Sequence, residues 1–396
     1  MSTFKIAVRY GADAIYIGGE SFSLRANAKN FTIEDMRECI KLAHEHGIKV
    51  YVTANIYAHN DDVEKAKEYF RELNDIKPDA VLISDIGLIN VAKNIFEGID
   101  IHLSTQANTT NYETVSFFRD LGIKRVVLAR ELSLSEIKEI KSKVGDTVEI
   151  EAFVHGAMCI SYSGRCLLSA FMTGRSANNG ECTHPCRWKY MLLEEEERKG
   201  EYMPVMETER GTYIFNSKDL NMIGHIDKLI EAGIDSLKIE GRMKTALYIA
   251  TVTRTYRKAI DDYYKSKELY FNNIDKYNEE INKCTYREFT TGFYFGKPND
   301  SSQIYDNNTY VVGATYYGTV EKVENDYAYF EQKNKFSVGD ELIVMKPDFT
   351  NLKVKVIEMY DIEKKENIES CPHSKQKLRI KFDKPVEELD ILRSSD

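Results

Sequence analysis

Residues 32–83 read TIEDMRECIKLAHEHGIKVYVTANIYAHNDDVEKAKEYFRELNDIKPDAVLI. Two periods alternate in this stretch. Ile33, Met36, Ile40 and Ala43 recur every three or four residues, as do Val63, Ala66, Phe70 and Leu73, so each set lines one face of a helix. Between and after them, Val50 to Thr53 and Ala80 to Ile83 are short apolar runs of strand type. Thr32 with Asp35 stands at the first helix's entry as N-cap and reciprocal acid. Helices alternating with strands place the strands parallel in one sheet.

The same rhythm extends to about residue 265, through Ala14 to Ile17, Ile101 to Ser104, Val126 to Leu128, Val148 to Val154 and Leu237 to Ile239, with a second N-cap pair at Ser133 and Glu136. This makes seven strands, where a TIM-like (β/α)8 barrel has eight. The expected fold is therefore such an α/β barrel apparently lacking its first strand, because Met1 opens almost within a helical segment, Phe4 to Tyr10. An open doubly wound sheet is the alternative, and it needs no eighth strand. The expected domains are a barrel over 1–265, a polar linker over 266–300 and a small C-terminal β-barrel domain over 301–396. That last segment carries about six short strands, from Tyr310 to Gly313 through Leu378 to Phe382.

In a barrel the residues just beyond each strand's C-terminal end share one rim, where active sites are built. That rim would hold Arg25 and Asn27, Asn55, Asp85, Gln106 and Asn108, Arg130 and Glu131, His155, then Glu240, Arg242 and Lys244. The arginine fork matches carboxylate and phosphate, so Arg25, Arg130 and Arg242 read as binders of an anionic substrate. Structural ion pairs such as Arg130 with Glu131 or Glu240 with Arg242 would use the same residues.

Between the sixth and seventh strands runs an excursion, residues 156–235, far longer than an ordinary βα connection. It carries Cys159, Cys166, Cys182 and Cys186 at C-x6-C, C-x15-C and C-x3-C intervals. In a chain without an export signal, such clustering points to a metal or iron–sulfur site rather than to disulfides. Structural zinc favours two close pairs, and only Cys182 and Cys186 are close, whereas a cluster tolerates wider spacing. Arg165, Arg175, Arg187 and Lys189 nearby would stabilise thiolates.

The net charge is −9 over 396 residues, which speaks against wholesale wrapping by nucleic acid while leaving room for a local basic patch. Residues 301–396 hold fourteen Lys plus Arg against eighteen Asp plus Glu, so RNA would be gripped by one face only. Lys353, Lys355, Lys377, Arg379 and Lys381 are its candidates, unless they are simply the wet side of strands. Arg254, Arg257 and Lys258 form a second basic face on the helix after the last barrel strand. No run of about 18 apolar residues is present and Met1 to Tyr10 lacks a signal-peptide core, so a cytoplasmic protein with no membrane segment is expected.

Several motifs resemble the U32 peptidase family, the collagenase-like proteases. They are Glu151-Ala-Phe-Val-His-Gly-Ala-Met-Cys159 running on through Gly164-Arg-Cys166 to Ser169, His102-Leu-Ser-Thr-Gln-Ala-Asn108, Asn216-Ser-Lys-Asp-Leu220, Ser236-Leu-Lys-Ile-Glu-Gly-Arg-Met-Lys244 and Thr290-Thr-Gly-Phe-Tyr-Phe-Gly296. The pattern is most similar to the branch of tRNA hydroxylation proteins. The resemblance implies formation of 5-hydroxyuridine at the wobble position with prephenate or a similar small dicarboxylate, tRNA and an electron donor as partners, and a 4Fe-4S cluster held by Cys159, Cys166, Cys182 and Cys186. Zinc is the alternative cofactor. The candidate substrate residues are Arg25, Gln106, Asn108, Arg130, His155, Glu240, Arg242 and Lys244. A peptidase with Cys159 as nucleophile and His155 as base is the alternative function, although neither H-E-x-x-H nor G-x-S-x-G occurs. A non-catalytic RNA-binding or assembly protein is the second alternative.

Overall fold

The structure is a computed structural model describing residues 1–20, 22–23, 30–159, 161–162, 175, 206–208, 211–213, 218–296, 310–373 and 375–395. The chain divides into two compact units, one of residues 14–242 with 287–310, the other of 1–13, 243–286 and 311–396.

The first unit is the α/β unit. Its strands β1 (Ala14–Gly18), β2 (Lys49–Ala54), β3 (Ala80–Ile83), β4 (Asp100–Leu103), β5 (Arg125–Val127) and β6 (Glu149–Ala157) pair in sequence order, all parallel. The helices between them are α2 (Ile33–Glu45), α3 (Asn60–Ile76), α4 (Ile86–Lys93), α5 (Tyr112–Asp120) and α6 (Leu134–Val144), which follow α1 (Ser2–Arg9) of the other unit. Both expected N-cap pairs form complete capping boxes, Thr32 with Asp35 and Ser133 with Glu136. The helical stripes are core: Met36, Ala43, Ala66, Phe70 and Leu73 are all fully buried.

After β6 come the antiparallel hairpin β7 (Met206–Thr208) and β8 (Gly211–Tyr213), then β9 (Asp219–Asn221), the short helix α7 (Ile226–Glu231) and β10 (Ser236–Ile239). The end of β6 is a branch point. β10 pairs parallel along Glu151 to His155, while β9 pairs antiparallel with His155 to Ala157. Among the described residues, β1 pairs only with β2 and β10 only with β6. The parallel α/β sheet is thus as expected, with its ladder open between β1 and β10.

The second unit holds the long helices α8 (Ala246–Lys265) and α9 (Lys267–Ile281), against the expectation of a linker from residue 266 on. Ser266 ends one and caps the other, its hydroxyl accepting from the Leu269 N–H. Strand β11 (Thr285–Tyr286) precedes β12 (Phe289–Thr290), which joins the first unit's sheet beside β9, and β13 (Val311–Val312) pairs back with β11. An eight-stranded antiparallel sheet then curls through β14 (Tyr316–Thr319), β15 (Lys322–Glu324), β16 (Tyr327–Glu331), β17 (Glu341–Met345), β18 (Asn351–Asp361), β19 (Glu366–Asn367), β20 (Lys377–Phe382) and β21 (Ile391–Ser394). Its inner face, including Ala328, Phe330, Val354, Leu378 and Ile380, is a continuous apolar core. Arg254, read from sequence as part of an exposed basic face on α8, instead has a side chain of 0% exposure, ion-paired to Glu280. No helix among the described residues is long and apolar enough to cross a membrane.

Candidate functional site

The C-terminal ends of the parallel strands carry polar side chains where the sequence pattern put them. Beyond β2, the Asn55 amide donates to Ser104 Oγ at 3.2 Å, and Ser84 beyond β3 donates to the Asn55 carbonyl at 3.2 Å. Beyond β4, a single 3-10 turn over Thr105–Ala107 turns Gln106 toward Tyr57, whose hydroxyl donates to the Gln106 carbonyl at 3.0 Å. Asn108 ends that turn with φ of 55°, a left-handed position that asparagine tolerates, and its amide donates to the Tyr162 carbonyl at 3.4 Å. Asp85 instead caps α4 through the Leu88 N–H, a structural use.

Arg130 follows β5. Its guanidinium lies over the Phe153 ring, 4.9 Å from the centroid, and donates to the Ala157 carbonyl at 3.2 Å, so it spans the last turn of β6. The Phe153 carbonyl also accepts the Tyr294 hydroxyl at 2.5 Å; burial pushes that phenol well above its ordinary range, although Arg130 pulls the other way. His155 is 1% exposed at the β6 branch point, its ring 5.6 Å from that of Phe289.

Two glycines let these groups approach. Gly156 has φ of +120°, and a Cβ there would stand 2.8 Å from Glu240 Cβ and 2.9 Å from its carbonyl oxygen. Gly18, ending β1, leaves the space that the Arg242 guanidinium fills; a Cβ would overlap Nη2. Arg242 is fixed there by a 2.7 Å hydrogen bond to Asn30 Oδ1, and its backbone N–H donates to Glu240 Oε1 at 3.1 Å. Gly156→Ala combines backbone strain with a clash against backbone, and is expected to cost about 1–3 kcal/mol and to displace Glu240. A shift in urea midpoint accompanied by loss of activity would show it, and an unchanged midpoint would contradict it.

The α/β unit places Gln106, Asn108, Arg130, His155, Glu240 and Arg242 at or just beyond the C-terminal ends of its strands. Lys244 belongs to the other unit, its ammonium 4.6 Å from the Tyr248 ring centroid. Arg25 and Asn27, and Cys166, Cys182 and Cys186, lie outside the described residues. Cys159 is described. It is exposed just beyond β6, and its Sγ accepts the Ser161 N–H at 3.4 Å.

The family model of peptidase family U32 matches residues 1–304, and that of the peptidase family U32 C-terminal domain matches 313–393. The chain belongs to peptidase family U32. This U32 chain is 38% identical to tRNA hydroxylation protein P1 of Bacillus subtilis, over 99% of the chain and 92% of that protein. It is 39% identical to tRNA hydroxylation protein P of Escherichia coli, over 88% of the chain and 84% of the relative. It is also 37% identical to the 23S rRNA 5-hydroxycytidine C2501 synthase of E. coli, over 64% of the chain and 37% of that protein.

Inside the U32 sheet, four residues before His155 on β6, lies a group that the reading of strand ends missed. Glu151 on β6 is fully buried and accepts from Tyr16 of β1 at 2.9 Å, Arg125 of β5 at 3.1 Å, Ser236 at 2.8 Å and Lys238 of β10 at 2.9 Å. Burial alone would raise this carboxyl's pKa, but the Lys238 and Arg125 charges hold it below the usual carboxylate range. His102 of β4 packs edge-on to Tyr51, and burial beside Arg125 pushes it down to about 3, so it is neutral at physiological pH. Period-two alternation was the available signal: Val148, Ile150, Ala152 and Val154 face one way, leaving Glu149, Glu151, Phe153 and His155 on the other.

Proposed function

We propose that this chain hydroxylates a uridine of tRNA, forming 5-hydroxyuridine at the wobble position, as a cytoplasmic enzyme. The observation that carries the reading is near-full-length similarity to two proteins named for tRNA hydroxylation, joined to a third named for hydroxylating a ribosomal cytidine. The common element in these names is addition of a hydroxyl to RNA.

The residues fit the rest of the reading as follows. Four cysteine thiols are a soft donor set suited to a 4Fe-4S cluster, with zinc the alternative, and Cys159 is exposed with its sulfur accepting the Ser161 N–H. Cys159, Cys166, Cys182 and Cys186 would hold the cluster, which when bound supplies electron transfer from a donor protein or small reductant. Arg130 and Arg242, with Arg25, would bind a dicarboxylate such as prephenate through guanidinium N–H groups. Arg242 is already oriented by Asn30, which limits the entropy lost on binding. Gln106 and Asn108 offer carboxamides able to donate and accept at a pyrimidine edge.

The barrel reading of the α/β sheet belongs to the same proposal. No ladder joins β1 to β10, yet the Lys238 ammonium of β10 stands 3.4 Å from the centroid of the Tyr16 ring of β1. Side chains thus cross the seam that backbone hydrogen bonds do not.

Nucleoside analysis tests the function. tRNA from a deletion strain lacking any second U32 gene is expected to contain no 5-hydroxyuridine or its derivatives. The wild-type gene should restore them and Cys159→Ser should not, by roughly tenfold or more. An unchanged nucleoside profile in the deletion strain refutes the reading.

A further inference from the structure

The outer face of the C-terminal sheet alternates rings and cations. Across its strands Lys322 pairs with Tyr329, Tyr329 with Arg379, and Arg379 with Tyr360, while Tyr327 stands opposite Lys381. The intervening residues Ala328, Phe330, Leu378 and Ile380 point into the core, so these side chains face outward. They touch one another. Arg379 lies 4.5 Å from the Tyr360 centroid and 4.8 Å from that of Tyr327, and Lys322 lies 4.5 Å from that of Tyr329.

The acids of this face are already engaged. Glu324 pairs with Lys322 at 3.0 Å, Glu331 with Lys333 at 2.5 Å, and Glu358 accepts the Tyr327 hydroxyl at 2.9 Å. Lys377, Arg379 and Lys381, in a row on β20, have no ion-pair partner among the described residues. By contrast Lys353, on the part of β18 that pairs with β17, is neutralised by Glu341 at 2.6 Å.

We propose that the outer face of β15, β16, β20 and β18 is an RNA-docking surface that stacks unpaired bases on Tyr327, Tyr329 and Tyr360 and holds the phosphates beside them with Lys377, Arg379 and Lys381. This rests on the RNA reading above and assigns the grip to one face of one unit. Three features favour single-stranded RNA. A sheet surface can offer rings to bases, stacking serves every base, and a row of three cations complements phosphate: Glu331 and Glu358 stand across the ladder from Lys377 and Lys381 without forming ion pairs of contact length with them among the described residues. An arginine held against two rings is fixed in orientation and can turn N–H groups of its edge toward phosphate.

The test is binding of the full-length protein to an unmodified tRNA transcript at several salt concentrations. The triple variant K377Q/R379Q/K381Q is expected to bind roughly tenfold or more weakly, with a salt slope shallower by about 0.7 per lost phosphate contact. Tyr360→Leu is expected to weaken binding about fivefold or more with the slope unchanged. K41Q, an exposed position on α2, should match wild type. A triple variant whose affinity and salt slope equal those of wild type overturns the proposal. So does competition by polyglutamate as effective as that by tRNA, which would mark an acidic-protein surface. Should the variants misfold, ultraviolet crosslinking of the wild-type protein to the transcript decides, with crosslinked peptides expected over 327–331 and 377–382 and overturning the proposal if confined elsewhere. Normal 5-hydroxyuridine in cells carrying a tight-binding triple variant removes this face and leaves the enzyme reading intact. Loss of the enzyme reading with crosslinks on this face leaves an RNA-docking surface for another RNA.

Discussion

Glu151→Gln is expected to lower the stability of the α/β unit by about 3–5 kcal/mol, because it removes the single anion that Arg125 and Lys238 share inside the sheet. The glutamine keeps the shape and some hydrogen bonds, so the loss reports charge rather than volume. Arg125 retains Glu149 at 2.6 Å, but Lys238, 11% exposed, keeps no other carboxylate contact of ion-pair length among the described residues. The double variant E151Q/K238M should regain much of the loss, since replacing both partners of a buried pair leaves no uncompensated charge. Urea unfolding of the wild type, the single variants and the double variant gives the coupling; a single-variant loss below about 1 kcal/mol, the value for an exposed pair, would sink the account.

The same carboxylate sets an acid limit. Its folded pKa lies below the usual carboxylate range, whereas in the unfolded chain it returns to about 4.3. Its contribution is therefore complete above the unfolded value and disappears as pH falls through the folded one. Wild-type unfolding midpoints should fall steeply below about pH 4.3, and that slope should be smaller in E151Q.

The rhythm of residues 32–83 was enough to place helices and parallel strands, because caps and apolar periods are local. Thr32, Asp35, Ser133 and Glu136 do in space what their spacing announces. Strands of two or three residues carry no such period. β9 and β12 could not be read from Asp219–Asn221 or Phe289–Thr290; they exist because Asp219 and Arg287 form a buried ion pair at 2.6 Å and because β6 runs two residues beyond its parallel partner. The set of strand-end residues was legible once a parallel sheet was assumed, since strand ends follow from strands. Its fixing contacts were not: Asn30 to Arg242 and Ala157 to Arg130 join residues far apart in sequence.

Charge misled most where it is buried. Arg254 looked like one of three basic residues on a wet helix face, and no local pattern marked Glu280 as its partner. In the second unit, Arg254 Nη2 meets Glu280 Oε1 at 2.6 Å, and Arg393 of β21 reaches the same carboxylate at 3.0 Å. Asn351 donates to its other oxygen at 3.1 Å, while Arg254 also donates to the Lys346 carbonyl at 2.8 Å. One acid thus ties both long helices to the antiparallel sheet. Burial would raise its pKa, but Arg254 and Arg393 hold it below the usual range, so its contribution too is present at neutral pH and lost in acid.

Glu280→Ala is accordingly expected to destabilise the second unit by about 3–5 kcal/mol or more, since it leaves two guanidinium groups, 0% and 4% exposed, without their carboxylate. Arg257→Ala, by comparison, breaks pairs with Asp13 and Asp261 that are far more exposed, and should cost at most about 1 kcal/mol. Both residues sit on the same pair of helices, so the contrast isolates burial from charge. Denaturant melts of the two variants check it: equal losses would mean that the triad is no more than a surface pair in energetic terms, and that the helices are held to the sheet by apolar contact alone.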